Sequence, residues 1–252
     1  MEAVPRLRDS LSAEQRSTLE AALAGRTGIA GFDDWARELV ATGYLHNHAR
    51  MWFASIWIFT LRLPWELGAA FFYEHLLDGD VASNTLSWRW VAGLQTPGKT
   101  YVARSDNIAH YTDGRHAPES SQLASAAFAI KEEPLSKVTA WTEDAAQVAS
   151  LKTYGRIGLW VHPEDLAVEQ GELAELKVRS VKALWPADIS ARAGWSDKVA
   201  TWTQAALHDG ATRAGQHFGA PVSSGETSDL AVSLVEWAQQ HNLQAIVAYR
   251  PF

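Results

Sequence analysis

The most apolar run of the chain, Met51 to Phe59, constrains its surroundings more than any other segment. Flanked by Arg50 and Arg62, it falls well short of the roughly 20 apolar residues that a membrane-spanning helix needs. The helical stretch that contains it, Asn47 to Leu61, is apolar on nearly every face, so other helices must enclose it. Suitable neighbours lie on both sides. Ser12 and Gln15 form a capping box ahead of Leu19, Ala22 and Leu23, and Gly25 closes that helix. A second helix starts near Asp33, carries Trp35, Leu39 and Val40, and ends at Gly43. Pro64 suits the first turn of a fourth, which runs past Phe72 and stops before Gly79. Ser83 is a fitting cap for a fifth, running towards Gly93. Residues 11–95 therefore read as all α.

The pattern changes after Pro118. Arg156 to His162 and Ala245 to Tyr249 look like short buried strands, whereas Lys198 to Ala214 and Leu230 to His241 look like helices. Such alternation predicts an α/β layer region. The expected organisation is a mainly α domain at residues 1–118, a linker at 119–153 and a smaller α/β region at 154–252 of unknown role. Ala, Lys and Glu in the linker would equally support a helix. The chain stops at Pro251-Phe252, directly after a strand-like run, so a partial chain is expected.

Composition removes several functions. With 47% hydrophobic and 20% charged residues, a packed core is expected rather than disorder. The absence of cysteine excludes disulfides, thiolate metal sites and iron–sulfur clusters. Residues 1–10 mix charges with proline and hold no apolar core, so they form neither signal peptide nor anchor, and a cytoplasmic location is the expectation. A formal net charge of −7 argues against coating nucleic acid by bulk electrostatics but leaves room for a local basic rim. Twelve tryptophans are the anomaly, because tryptophan serves cores, stacking surfaces and electron transfer alike.

Their positions carry the argument further. Gly25-Arg26-Thr27-Gly28 is followed by Thr42-Gly43-Tyr44-Leu45-His46-Asn47-His48-Ala49-Arg50-Met51, then by Leu77-Asp78-Gly79-Asp80-Val81-Ala82-Ser83-Asn84 and Trp88-Arg89-Trp90. In this order and spacing, over residues 25–116, the sequence resembles the DNA photolyase and cryptochrome family, specifically its helical FAD-binding domain. Helical geometry places Asp80, Asn84 and Trp88 on one face, and points Trp88 and Trp90 about 200° apart.

The resemblance implies a blue-light flavoprotein with FAD as cofactor; whether an antenna chromophore accompanies it is not legible. Trp88 corresponds to the residue that passes electrons to the flavin, and Trp65 to the next relay. The family's outermost relay tryptophan lies upstream of the Gly-Arg-Thr-Gly turn, where this sequence has none. Arg50 and Asp78 match a salt bridge beside the flavin, expected to be buried; Asp80 matches a position near the ring's polar edge, and Asn84 one facing N5. A neutral amide at Asn84 favours a photolyase-like flavin. Asn47 is also implied among the cofactor-binding residues. Asn47, Met51 and Trp90 match positions that contact a cyclobutane dimer, so damaged DNA is the implied partner and light-driven dimer repair the leading function. A cryptochrome-like receptor without repair activity and a non-catalytic remnant are the alternatives. The family's phosphate-binding segment and substrate-contacting glutamate are not recognisable in residues 1–24, so an N-terminally incomplete domain that holds FAD weakly is expected.

Other residues read as ordinary. Trp52 and Trp57 are expected in the core. His46 and His48 lack a third metal ligand of suitable spacing, and no metal is expected. His110, Tyr111 and His116 are expected on a surface loop.

Overall fold

The computed structural model describes residues 3–96, 99–130, 132, 148–151 and 153–250. The chain divides into two compact units, one of residues 1–136 with 193–199, the other of residues 137–192 with 200–252. Residues 131, 133–147 and 152 of the expected linker, 119–153, lie outside the described residues.

The first unit is helical: α1 (Ala3–Ser10), α2 (Ala13–Leu23), α3 (Phe32–Thr42), α4 (Asn47–Ser55), α5 (Trp65–His75), α6 (Val81–Val91) and α7 (Ser105–Tyr111). The capping box forms as the sequence predicts: Ser12 Oγ accepts from Gln15 N–H, and the Gln15 side chain accepts from Ser12 N–H. Helix α1 was not foreseen; its charges and proline concealed it. Two further expectations need correction. The third helix does not run unbroken to Leu61, because Ile56–Thr60 form a π-helical turn after α4. Nor does Ser83 cap the fifth: Asp80 holds that position, its carboxylate accepting from Ser83 N–H at 2.6 Å. A carboxylate three residues upstream of Ser83 supplies the acceptor that Ser83 would have supplied, and adds charge at the positive end of the helix.

The core centres on the apolar segment that the sequence placed inside. Trp52, Phe53, Ile56, Trp57 and Ile58 are buried against Phe32, Leu39, Leu67, Phe72 and Trp88. The aromatic rings interlock, with Phe32 and Phe53 stacked at 4.3 Å and Phe72 edge-on to Trp88 at 5.0 Å. Trp52 and Trp57 are core residues whose indole N–H groups donate to Asn107 and to the Pro64 carbonyl.

The second unit contains a four-stranded parallel sheet of order β3-β2-β1-β4, with β1 Ile157–Val161, β2 Val178–Pro186, β3 Val222–Thr227 and β4 Ala245–Val247. The helices are α8 (Val148–Leu151), α9 (Ile189–Ala193), α10 (Asp197–Phe218) and α11 (Leu230–Gln240). Leu207, Ala211 and Ala214 of α10 cover Ile157, Leu159, Val161 and Val181. On the opposite face Trp237 of α11 reaches Gly158, where a Cβ would meet its ring at 2.6 Å, and donates to Ser180 Oγ. Coverage on both faces is what a parallel sheet requires. Strands β2 and β3 were missed: β2 is half-exposed at its ends, and β3 reads Val-Ser-Ser-Gly-Glu-Thr, with little apolar signal.

Candidate flavin site

Three loops with special backbone geometry place the site. In the Gly25–Gly28 turn the Asp33 carboxylate accepts from Thr27 N–H at 2.8 Å, Thr27 Oγ1–H at 2.7 Å and Gly28 N–H at 2.8 Å. That turn is thus a closed joint leading into α3. Gly43 ends α3 at φ 76°, where a Cβ would press on Leu77 Cγ at 2.6 Å, and its carbonyl accepts from Leu77 N–H at 2.9 Å. This close approach ties the start of α4 to the Asp78–Asp80 loop.

Between them lies an open cavity of about 510 Å³. Helix α4 contributes Asn47, Arg50, Met51 and Ala54, one face at i, i+3, i+4 and i+7. Helix α6 and its cap contribute Asp80, Ser83, Asn84, Ser87, Trp88 and Val91, again one face. Eight of the nine residues singled out in the sequence (Asn47, Arg50, Met51, Asp78, Asp80, Asn84, Trp88 and Trp90) line this cavity; Trp65 does not. Ser87 and Gln95 also line it and were not foreseen, although Ser87 shares the helical face of Asp80, Asn84 and Trp88 and was legible from that spacing.

Asn84 is oriented by chemistry as well as position. Its amide nitrogen donates to the Ala69 carbonyl at 2.8 Å, and because a carbonyl accepts only from a donor, the amide oxygen is the acceptor end of the side chain. Asp80 is partly committed to its capping bond. Arg50 makes a two-pronged contact with Asp78, its terminal nitrogen lying 3.0 and 2.8 Å from the two carboxylate oxygens, and donates from Nε to the Leu45 carbonyl at 2.8 Å. The expected burial of this ion pair is corrected: the Arg50 side chain is 25% exposed and that of Asp78 57%. Asp78 sits at the turn between α5 and α6, where its carboxylate faces outward.

Trp88 is 2% exposed and packs into the core cluster, while Trp90 is 41% exposed and stacks on Tyr101 at 5.8 Å. The opposed directions expected on a helix are thus realised. Gly68 makes room for Trp88: a Cβ there would meet the indole at 2.2 Å. The Trp88 indole N–H is buried and has no hydrogen-bond partner among the described residues.

Trp65 lies one turn before Gly68 on α5. Its indole N–H donates to Glu132 Oε1 at 2.5 Å, and the other Glu132 oxygen accepts from Arg89 at 2.5 Å. The Arg89 guanidinium stands 5.6 Å from the Trp65 ring centre. Nearby Glu66 has its pKa raised, mainly by burial and also by the charge of Glu132.

The histidines take structural posts. His46 caps α4 by accepting from His48 N–H, and His48 stacks on Trp52. His110 and Tyr111, expected on a loop, belong to α7 because Ser105 to Tyr111 closes a short helix; His116 lies 3.3 Å from Asp34. Among the described residues no group of three or more His, Asp or Glu side chains is arranged to hold a metal, and no helix is long and apolar enough to cross a membrane.

The lining fits a flavin ring: an amide acceptor, carboxylates and a guanidinium at one end, with Met51, Phe72, Leu76 and Trp88 supplying apolar wall. Arg50 is the one cation among the lining residues, and it is engaged by Asp78, so the cavity serves a ring better than a pyrophosphate.

Comparison with known proteins agrees. The family described as the FAD binding domain of DNA photolyase matches residues 2–119. A deoxyribodipyrimidine photo-lyase of Streptomyces griseus is 38% identical over 108 residues, which cover 37% of this chain and 24% of that protein. Cryptochrome-1 of Arabidopsis thaliana is 40% identical over 83 residues, covering 33% and 12%. A photo-lyase of Thermus thermophilus is 37% identical over 110 residues, covering 44% and 26%. The chain thus spans about a quarter or less of the length of these relatives. Across residues 2–119 the sequence motifs coincide with this match, so that segment of the chain is similar to the FAD binding domain of DNA photolyase and to the proteins named photo-lyase and cryptochrome.

Proposed function

We propose that the chain is a photolyase-like flavoprotein in which light drives an electron from reduced FAD to a pyrimidine dimer in DNA and splits it. The observation that supports this reading is the convergence of Asn47, Arg50, Met51, Asp78, Asp80, Asn84, Trp88 and Trp90 on one cavity. Bound FAD would supply the one-electron chemistry; the protein supplies placement, polarity and exclusion of water. Asn47, the Arg50–Asp78 pair, Asp80 and Asn84 would hold the ring, with Asn84 supplying a neutral acceptor and Asp80 a carboxylate. Trp90, exposed and aromatic, offers a stacking face to a base flipped from the duplex, with Asn47 and Met51 beside it. Trp88 and Trp65 relay electrons towards the flavin.

A second reading, a cryptochrome-like photoreceptor, is favoured by the similarity to cryptochrome-1 and cryptochrome-2 of Arabidopsis thaliana. Both readings use the same cavity and differ in what meets Trp90. The test is to load the chain with FAD, add an oligonucleotide carrying cyclobutane dimers, illuminate with blue light and measure dimers remaining. Light-dependent loss of dimers supports repair. Flavin photoreduction without repair supports the photoreceptor, and failure to take up flavin would leave a non-catalytic remnant.

A further inference from the structure

Two indole N–H groups on the proposed electron path have opposite environments. That of Trp88 is buried and has no acceptor among the described residues, whereas that of Trp65 points at a carboxylate oxygen. An indole that loses an electron becomes a far stronger acid, so the presence or absence of a base decides what each oxidised ring can become. Oxidised Trp88 finds no acceptor for its proton among the described residues and would keep its positive charge. Oxidised Trp65 would carry that charge with the Arg89 guanidinium 5.6 Å from its ring, an unfavourable pairing of like charges in a half-buried site. Glu132 relieves the conflict by accepting the proton.

We propose that Glu132 is the proton acceptor that converts oxidised Trp65 into a neutral radical and so ends the electron relay at this residue. The inference rests on the relay role given to Trp88 and Trp65 above. One electron passes from Trp65 to oxidised Trp88, which is restored to neutral indole. The Trp65 Nε1–H bond breaks, an O–H bond forms on Glu132 Oε1, and the proton moves across the 2.5 Å hydrogen bond. The oxidant that first removes the electron from Trp88 is, by class, a photoexcited oxidised flavin. Arg89, bonded to the other carboxylate oxygen, keeps Glu132 aimed at the indole.

The test is transient absorption of the flavin-loaded full chain after a blue flash, which distinguishes the protonated tryptophan radical from the neutral one. The native chain should give a neutral radical formed with a solvent deuterium isotope effect. Glu132→Gln keeps an acceptor oxygen but is no base; it should leave a protonated radical whose lifetime is shortened by about tenfold or more. Glu132→Asp, which retains a carboxylate and tolerates Arg89, should restore the neutral radical in part. In the flavin-free chain the Trp65 indole N–H resonance, assigned by its loss in Trp65→Phe, should move on Glu132→Gln. A neutral radical that forms unchanged in Glu132→Gln, or without an isotope effect in the native chain, overturns this assignment and leaves the flavin reading intact. A native chain that yields no oxidised tryptophan overturns the relay itself.

Discussion

Asn84 donates its side-chain amide to the backbone carbonyl of Ala69 at 2.8 Å, so a bond between α6 and α5 fixes the orientation of the amide that lines the cavity. The same bond makes the position intolerant of charge. In Asn84→Asp a carboxylate would face the Ala69 carbonyl, leaving two acceptors opposed. A loss of about 1–3 kcal/mol in unfolding free energy is expected once that carboxylate ionises, with recovery at lower pH. Urea titrations of both proteins across pH check this; equal stability throughout would show that the bond does not hold the amide.

The Arg50–Asp78 pair should matter for flavin more than for folding. Because Asp78 is more than half exposed, Asp78→Ala should cost less than about 1 kcal/mol of stability. Flavin retained after gel filtration should fall, since Arg50 loses the partner that aims it. Denaturant midpoint and flavin absorbance separate the two effects, and a stability loss several times larger would indicate that the pair is buried after all.

Gly68 is the position where Trp88 can be displaced without being replaced. In Gly68→Ala the new methyl would fall 2.2 Å from the Trp88 ring, and the ring or the helix must yield. The expected cost is about 1–3 kcal/mol, with an altered near-UV circular dichroism signal. A variant as stable as the native chain with an unchanged spectrum would mean that α5 and α6 stand further apart.

Trp88→Phe should retain flavin and slow its photoreduction, since phenylalanine keeps an aromatic ring but cannot be oxidised in the same way. The substitution also removes a buried N–H that has no partner among the described residues, which offsets part of the packing loss. Blue-light bleaching of the flavin bands is the measurement, and an unchanged rate would take Trp88 off the path.

His75 gives the fold a pH dependence of predictable sign. Burial lowers its pKa below the ordinary 6.5, Glu74 opposes the shift and Lys198 adds to it. The folded state therefore prefers neutral His75, and between the folded and unfolded values the unfolded chain binds more protons. The stability this group contributes is present above 6.5 and is lost as pH falls through the folded value. His75→Gln should lose less stability than the native chain between about pH 7.5 and about pH 5, and parallel curves would count against it.

The helical half was legible because its signals are local. The Ser12–Gln15 box, the glycines that close helices and the unbroken apolar run within residues 47–61 depend on neighbours within a turn or two, where spacing alone fixes which side chains meet. Spacing likewise put Asp80, Asn84 and Trp88 on one face before any coordinates. It did not give β2 and β3, whose partners lie far along the chain and whose short half-polar runs lack a period of their own. Nor did it give the outward turn of Asp78 or the cap at Asp80 in place of Ser83. Above all, no local pattern joins Trp65 to Glu132 across 67 residues or leaves Trp88 without an acceptor among the described residues. Sequence chose the residue types and the faces they occupy; tertiary packing chose their partners, because which donor meets which acceptor depends on chain segments that are distant until the fold closes.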